Sequence, residues 1–107
     1  MISVFTKDLF FTSKIMETAR QCHADARIFT DEKGLFESLD EAKRVILDLE
    51  FCGTGIIEKI RDRNEHIEIL GYLPHVAAAL RKEAEAKGCR TITRSHFTRN
   101  MADILTT

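Results

Sequence analysis

Short runs rich in β-branched and other apolar residues alternate with helical stretches along the whole chain, and this alternation constrains the fold most strongly. Strands are predicted at residues 2–6, 26–30, 44–49, 67–70 and 90–93. Helices are predicted at residues 12–22, 33–39, 54–63, 75–87 and 97–105. Strands that alternate with helices form a parallel sheet covered on both faces. The sequence therefore predicts an α/β protein of three layers, with a five-stranded parallel sheet in the middle.

The third run, at 44–49, is almost continuously apolar, as expected of a central strand that is buried on both faces. Right-handed crossovers leave few topologies for five βα units, and we expect the flavodoxin-like order 2-1-3-4-5. Residues 1–107 contain no linker or low-complexity segment, so a single domain is expected. We predict that Thr12 or Ser13 caps the first helix and that Ser95 caps the last.

Composition argues against several functional classes. The chain has 16 basic and 17 acidic side chains and a formal net charge of −1, so binding to nucleic acid or to a membrane through overall charge is not expected. No GxGxxG follows the first strand, and the Gly53-Thr54-Gly55 segment lacks a P-loop lysine. No signal peptide and no apolar run of about 20 residues is recognisable, so we expect a cytoplasmic protein with no membrane span.

Ligands of open parallel sheets bind beyond the carboxyl ends of the strands. Polar and charged side chains follow four of the predicted strands at this edge, and they are Lys7, Asp8, Asp48, Glu50, Tyr72, His75, Arg94 and Ser95. Asp48 is the most informative of them, because it interrupts an apolar central strand and a buried carboxylate needs a partner. We expect Lys7 or Arg94 to pair with Asp48; the alternative is that Asp48 accepts hydrogen bonds from loop amides.

The βα order, the VILD segment that ends with Asp48, Gly55 a few residues later and Arg94 at the end of the fifth strand resemble the receiver domain of response regulators. The resemblance extends over the whole chain. It implies that Asp48 occupies the phosphoacceptor position and Arg94 the position of a lysine. It also implies Mg²⁺ bound by an acidic pair after the first strand, which leaves Asp8 and Asp48 as the metal-ligand candidates here.

Three positions depart from the pattern of that family. Thr6-Lys7 replaces the acidic pair, and Gly71-Tyr72 replaces the hydroxyl residue after the fourth strand, although the Tyr72 ring can serve as the aromatic partner of that residue. Arg94-Ser95 replaces Lys-Pro, and the forked guanidinium of arginine is no simple substitute for lysine. Together these changes indicate a pseudo-receiver that retains the acceptor position without efficient phosphotransfer.

The leading functional hypothesis is a non-enzymatic signalling module, a stand-alone pseudo-receiver that acts by binding and needs no cofactor. The first alternative is a single-domain response regulator phosphorylated on Asp48, with Asp8 and Glu50 assisting Mg²⁺. The second is a domain that binds a small anionic ligand through Lys7 and Arg94 at the strand ends.

Interaction surfaces are predicted at two places. In receivers, the fourth helix, fifth strand and last helix form the usual dimer and output face, so we expect a protein partner or a homodimer there. Residues 87–100 contain four cations and no acid, which predicts a local basic patch: Lys87, Arg90, Arg94 and Arg99. Of Phe10 and Phe11, we expect one to pack under the first helix and the other to be exposed at a partner surface.

Overall fold

The structure is a computed structural model that describes residues 1–107. Five strands lie at β1 Ile2–Phe5, β2 Ala26–Phe29, β3 Arg44–Asp48, β4 Glu68–Leu73 and β5 Arg90–Thr93. Seven helices lie at α1 Leu9–Cys22, α2 Glu32–Ser38, α3 Leu49–Cys52, α4 Gly55–Arg63, α5 Ala78–Ala86, α6 Arg94–Arg99 and α7 Met101–Thr106.

The five strands form one all-parallel sheet in the order β2-β1-β3-β4-β5, which confirms the predicted topology. The β3 strand lies in the middle, where Val45, Ile46 and Leu47 are completely buried. Its partners are β1, with Phe5 opposite Leu47, and β4, with Tyr72 opposite Asp48. The carboxyl ends of β1, β3 and β4 therefore meet at one edge of the sheet.

Separate hydrophobic cores lie on the two faces of the sheet and complete the predicted three layers. One core joins alternate strand residues to α2, α3, α4 and α5, and Leu35, Leu49 and Ile57 are among its members. The other joins the remaining strand residues to α1, α6 and α7 through Phe11, Phe97 and other side chains. No helix of the chain has the length and apolar character needed to cross a membrane.

Two elements at the carboxyl edge differ from their predicted bounds. The α1 helix begins at Leu9, three residues before the predicted start, because Asp8 and not Thr12 or Ser13 is the N-cap: its Oδ1 accepts the Phe11 amide at 3.1 Å. The β4 strand continues to Leu73, so Gly71 and Tyr72 lie inside the strand and not after it. The prediction ended this strand before Gly71 because glycine is uncommon in strand interiors.

The predicted last helix is divided into α6 and α7 at Asn100. Thr93, not Ser95, caps the first of these helices, because Thr93 Oγ1 accepts the His96 amide at 3.1 Å. The helix predicted at 75–87 is shorter than expected, since residues 75–77 form a turn ahead of α5.

Candidate functional site

Asp48 lies at the carboxyl edge between β1 and β4, as predicted, and only 4% of it is exposed. Its Oδ2 accepts a hydrogen bond from Thr6 Oγ1 at 3.0 Å, and its Oδ1 accepts the Phe51 amide at 3.4 Å. The prediction that Lys7 or Arg94 pairs directly with Asp48 is wrong, because Arg94 pairs with Asp8 and Glu50 and Lys7 forms no ion pair. Asp48 instead caps the short α3 helix, which is the alternative that the sequence left open.

Thr6 connects three elements of this edge through its hydroxyl group. The Thr6 oxygen accepts hydrogen bonds from Tyr72 OH at 3.0 Å and from the Asp8 amide at 3.1 Å, while it donates to Asp48. Burial raises the pKa of Tyr72 well above its ordinary value, so this phenol remains a donor. The hydroxyl thereby uses its donor and both of its lone pairs in a buried site.

Thr6 lies at this edge but is not among the site residues predicted from the sequence. A threonine that ends a strand is an ordinary residue, and its partners lie 42 and 66 residues away in the sequence. The available signal was its position directly after an apolar strand that is adjacent to the strand of Asp48.

Arg94 forms the second cluster of the site. Its Nη2 donates to Asp8 Oδ2 at 2.7 Å, and its Nη1 donates to Glu50 Oε1 at 3.2 Å. The guanidinium carbon lies 4.8 Å from the centre of the Phe11 ring, within the range of a cation–π interaction. Arg94 therefore ties the loop after β1 and the α3 helix to the end of β5.

Lys7 contacts an aromatic ring and no carboxylate. Its Nζ lies 5.5 Å from the centre of the Phe51 ring, and the side chain forms no ion pair within the chain. The Phe51 ring in turn packs against Phe5 at 5.1 Å between centroids. Lys7 is thus an exposed cation beside the cluster formed by Arg94 and its two acids.

Gly71 occupies the position where the receiver pattern has a hydroxyl residue, and the adjacent space is already filled. A Cβ atom at this position would lie 2.5 Å from Leu49 Cδ1 and 3.1 Å from Cys89 Sγ. Tyr72, the next residue, is completely buried among Phe11 and Phe97. A side chain at position 71 is therefore excluded by packing, and the Tyr72 ring is fixed inside the core.

Two further predicted site residues are not part of these clusters. His75 lies in the exposed turn after β4, and its imidazole forms no hydrogen bond or ion pair. Ser95 is exposed, and its hydroxyl contacts only Thr93 Oγ1, at 3.3 Å. The structure brings together Lys7, Asp8, Asp48, Glu50, Tyr72 and Arg94 at the edge, whereas these two lie beside it.

The residues present do not fit the Mg²⁺ site that the resemblance implies. The Asp48 carboxylate accepts hydrogen bonds from Thr6 and the Phe51 amide, and the Asp8 carboxylate accepts one from the Phe11 amide and pairs with Arg94. Mg²⁺ requires oxygen ligands in near-octahedral geometry, and no group of three or more histidine, cysteine or acidic side chains is arranged to hold a metal ion. The Arg94 guanidinium pairs with Asp8 and Glu50, the acids that would have to assist in binding the metal ion.

The ionisation of Asp8 should be visible in the pH dependence of stability. The Phe11 amide, and after it Arg94, hold the pKa of this carboxyl below its ordinary value of 3.8 despite partial burial. A depressed pKa stabilises the folded chain above that value, and the stabilisation disappears as the pH falls through the folded-state pKa. We expect the difference in free energy of unfolding between wild type and Asp8→Asn to shrink below pH 3.8. Urea titrations at several pH values measure it, and a constant difference would contradict it.

The predicted basic patch is largely neutralised by acids from other parts of the chain. Lys87 pairs with Glu58 at 2.9 Å, Arg90 pairs with Glu68 at 2.9 Å, and Arg94 has the two partners described above. Arg99 alone of the four forms no ion pair. The absence of acids between residues 87 and 100 therefore does not produce a free positive surface.

The three cysteines are free thiols that do not cluster. Burial raises the pKa of Cys52 to about 12 and that of Cys89 to about 11. These two thiols therefore remain protonated and contribute to the packing beside Leu49 as small apolar side chains.

Comparisons with known proteins support the fold and no more. A crystal structure of a protein described as pilus assembly-related, from Burkholderia pseudomallei, superposes with a TM-score of 0.74 and 15% sequence identity. The alignment covers 97% of this chain and 84% of that protein. No family model matches the chain, and neither does any curated protein. The class defined by the structure is thus a five-stranded flavodoxin-like α/β domain.

Proposed function

We propose that this chain is a non-enzymatic regulatory module, a pseudo-receiver that acts by binding other protein surfaces. The observation that carries the proposal is the double ion pair of Arg94 with Asp8 and Glu50. These are the acids that would assist a metal ion in a phosphorylated receiver, and here they bind a permanent cation of the chain itself. These ion pairs connect the loop after β1 to α3 and α6 through groups of the chain itself.

The geometry at Asp48 and Gly71 supports the same proposal. The Asp48 carboxylate accepts hydrogen bonds from Thr6 and from the Phe51 amide, so groups of the chain itself hold it in place. A receiver also needs a hydroxyl side chain that responds to the phosphate, and Leu49 fills the corresponding space beside Gly71. Each change removes one component of phosphotransfer or of its readout.

We propose the surface formed by α5, β5 and α6 as a binding face for a protein partner. A groove of about 360 Å³ lies on this face and is lined by Arg81, Glu85, Thr91, Ile92, Thr93 and His96. Its lining combines both signs of charge with hydroxyl groups and the apolar side chain of Ile92.

Backbone amide NMR during titration with Mg²⁺ and then beryllofluoride tests whether the ion pairs of Arg94 prevent the site from binding a metal ion and a phosphate analogue. We expect no saturable shift changes in the wild-type chain up to about 10 mM Mg²⁺, with or without beryllofluoride, because Arg94 holds the acids. The matched variant Arg94→Gln releases Asp8 and Glu50 and should acquire weak, saturable shifts at these residues.

Saturable wild-type shifts around Asp8, Asp48 and Gly71 that extend to β5 with beryllofluoride would contradict the proposal and favour a phosphorylated response regulator. Thermal stabilisation that saturates with phosphate in the absence of Mg²⁺ would instead favour the anion-binding alternative.

A further inference from the structure

Exposed apolar side chains are concentrated at the carboxyl edge of the sheet. Four of the five large exposed hydrophobic residues follow β1, β3 or β4, and their exposed fractions are 81% for Leu9, 66% for Phe10, 37% for Phe51 and 76% for Val76. The fifth, Met16, lies in the middle of α1. Exposed large apolar side chains that gather at one edge of a protein point to an interaction site.

Contacts within the chain connect Phe10 and Phe51 through the Arg94 cluster. The Phe10 ring contacts Phe11 edge-on at 5.8 Å, and the Phe11 ring carries the Arg94 guanidinium. Arg94 binds Glu50, whose neighbour Phe51 lies under Lys7. We call the exposed surface of Lys7, Leu9, Phe10, Glu50 and Phe51 the apolar rim.

The apolar rim and the Arg94 cluster beside it carry charges of both signs. Lys7 contributes one positive charge that no acid of the chain neutralises. Beside it, the two carboxylates of Asp8 and Glu50 face the single guanidinium of Arg94, which leaves this cluster with a net charge of −1. A complementary surface must therefore be apolar and must offer an acid to Lys7 and a cation to the cluster.

We infer that the apolar rim binds a second copy of this chain in a two-fold symmetric dimer. The rim itself has the composition that its partner needs, and an isologous interface brings each position of one copy against a different position of the other. Lys7 of each copy then approaches the Asp8–Arg94–Glu50 cluster of its mate while the aromatic side chains are buried between them. This inference rests on the proposed binding function and adds to the α5–β5–α6 face a second surface, whose partner is another copy of the chain.

Sedimentation equilibrium of the full chain over a range of concentrations tests the dimer. We expect a reversible monomer–dimer equilibrium that Phe10→Ser weakens by about 30-fold, as for truncation of a buried aromatic anchor. Met16→Ser removes the exposed hydrophobic side chain that lies outside the rim, and it should leave the dissociation constant unchanged. A wild-type chain that remains monomeric to about 1 mM, or equal effects of the two variants, would overturn the inference.

Exchanging the charges at positions 7 and 50 distinguishes this dimer from dimers that form through other surfaces. Lys7→Glu and Glu50→Lys should each weaken the dimer about tenfold, because each places like charges opposite one another across the two-fold axis. An equimolar mixture of the two variants restores both opposite-charge contacts and should associate nearly as tightly as wild type. A mixture that stays as weak as the separate variants, or a dimer lost only on Thr91→Arg in the α5–β5–α6 face, would refute it.

Failure of the dimer is distinguishable from failure of the proposed function. A monomeric chain that is silent to Mg²⁺ and beryllofluoride overturns the dimer alone. A dimer whose amide shifts respond to beryllofluoride contradicts the proposed pseudo-receiver function but leaves the apolar rim as the dimer interface. Circular dichroism of each variant confirms that the fold is retained.

Discussion

Gly71→Thr, which restores a hydroxyl at the position where receivers have one, should destabilise the fold by about 3 kcal/mol, as overpacking of a tight core does. Thr is the better strand residue by intrinsic preference. The steric clash nevertheless makes the substitution destabilising, because a Cβ atom would lie 2.5 Å from Leu49 Cδ1 and 2.8 Å from Leu49 Cγ. Thermal unfolding should show a melting temperature about 15 °C lower than wild type.

Two variants control this prediction. Gly55→Ala introduces a Cβ into open space at the start of α4 and should change the free energy of unfolding by less than about 1 kcal/mol. Combining Gly71→Thr with Leu49→Ala should cost less than the sum of the two single changes, because the smaller side chain vacates the same space. An unchanged melting temperature for Gly71→Thr, or strict additivity in the double variant, would show that Leu49 does not exclude a side chain there.

The fold could be predicted because its determinants are local and repeated. Each βα unit carries its own hydrophobic period, and the apolar run at 44–49 identifies the central strand without knowledge of the rest. Chain order and crossover handedness then supply the strand order β2-β1-β3-β4-β5. The same reasoning placed Asp48 correctly at the carboxyl edge, because only its position in the strand was needed.

The pairing within the site could not be predicted, because it depends on side chains that converge from distant segments. Arg94 is 86 residues from Asp8 and 44 from Glu50, and a guanidinium at the end of β5 can reach several carboxylates. In the structure Asp48 is bonded to Thr6 and to the Phe51 amide, and Arg94 pairs with Asp8 and Glu50. The local sequence around each residue does not contain this choice.

Gly71 shows a second reason why the structure differs from the prediction made from the sequence. Its sequence position predicted the end of β4, because glycine has no side chain to pack in a strand. In the structure β4 continues through Gly71 and Tyr72 to Leu73 because these residues pair with neighbouring strands, and the missing side chain of Gly71 leaves the space that Leu49 fills. The energetic value of this glycine depends on a neighbour that the local pattern does not contain.

Thr6→Val should produce the largest loss of stability among the polar positions of the site, about 4 kcal/mol. Valine has nearly the shape of threonine, so the packing is retained while the hydroxyl is removed. Tyr72 OH and the Asp8 amide then lose their acceptor, and Asp48 Oδ2 loses its donor. An unsatisfied buried polar group costs about 1–3 kcal/mol, so the two buried groups on Tyr72 and Asp48, together with the part-buried Asp8 amide, outweigh the gain from the added methyl group. The melting temperature should fall by about 20 °C.

Thr6→Ser is the matched control for this change, since it keeps the hydroxyl and removes one methyl group at a cost of about 1 kcal/mol. Tyr72→Phe removes one of the three partners, and in the Thr6→Val background it should cost less than in wild type because the shared hydrogen bond is already lost. If valine and serine destabilise the chain equally, the methyl group and not the hydroxyl matters at this position. The three-way connection of β1, β3 and β4 through Thr6 would then contribute nothing measurable, and Asp48 would be held at the edge by its cap on α3 alone.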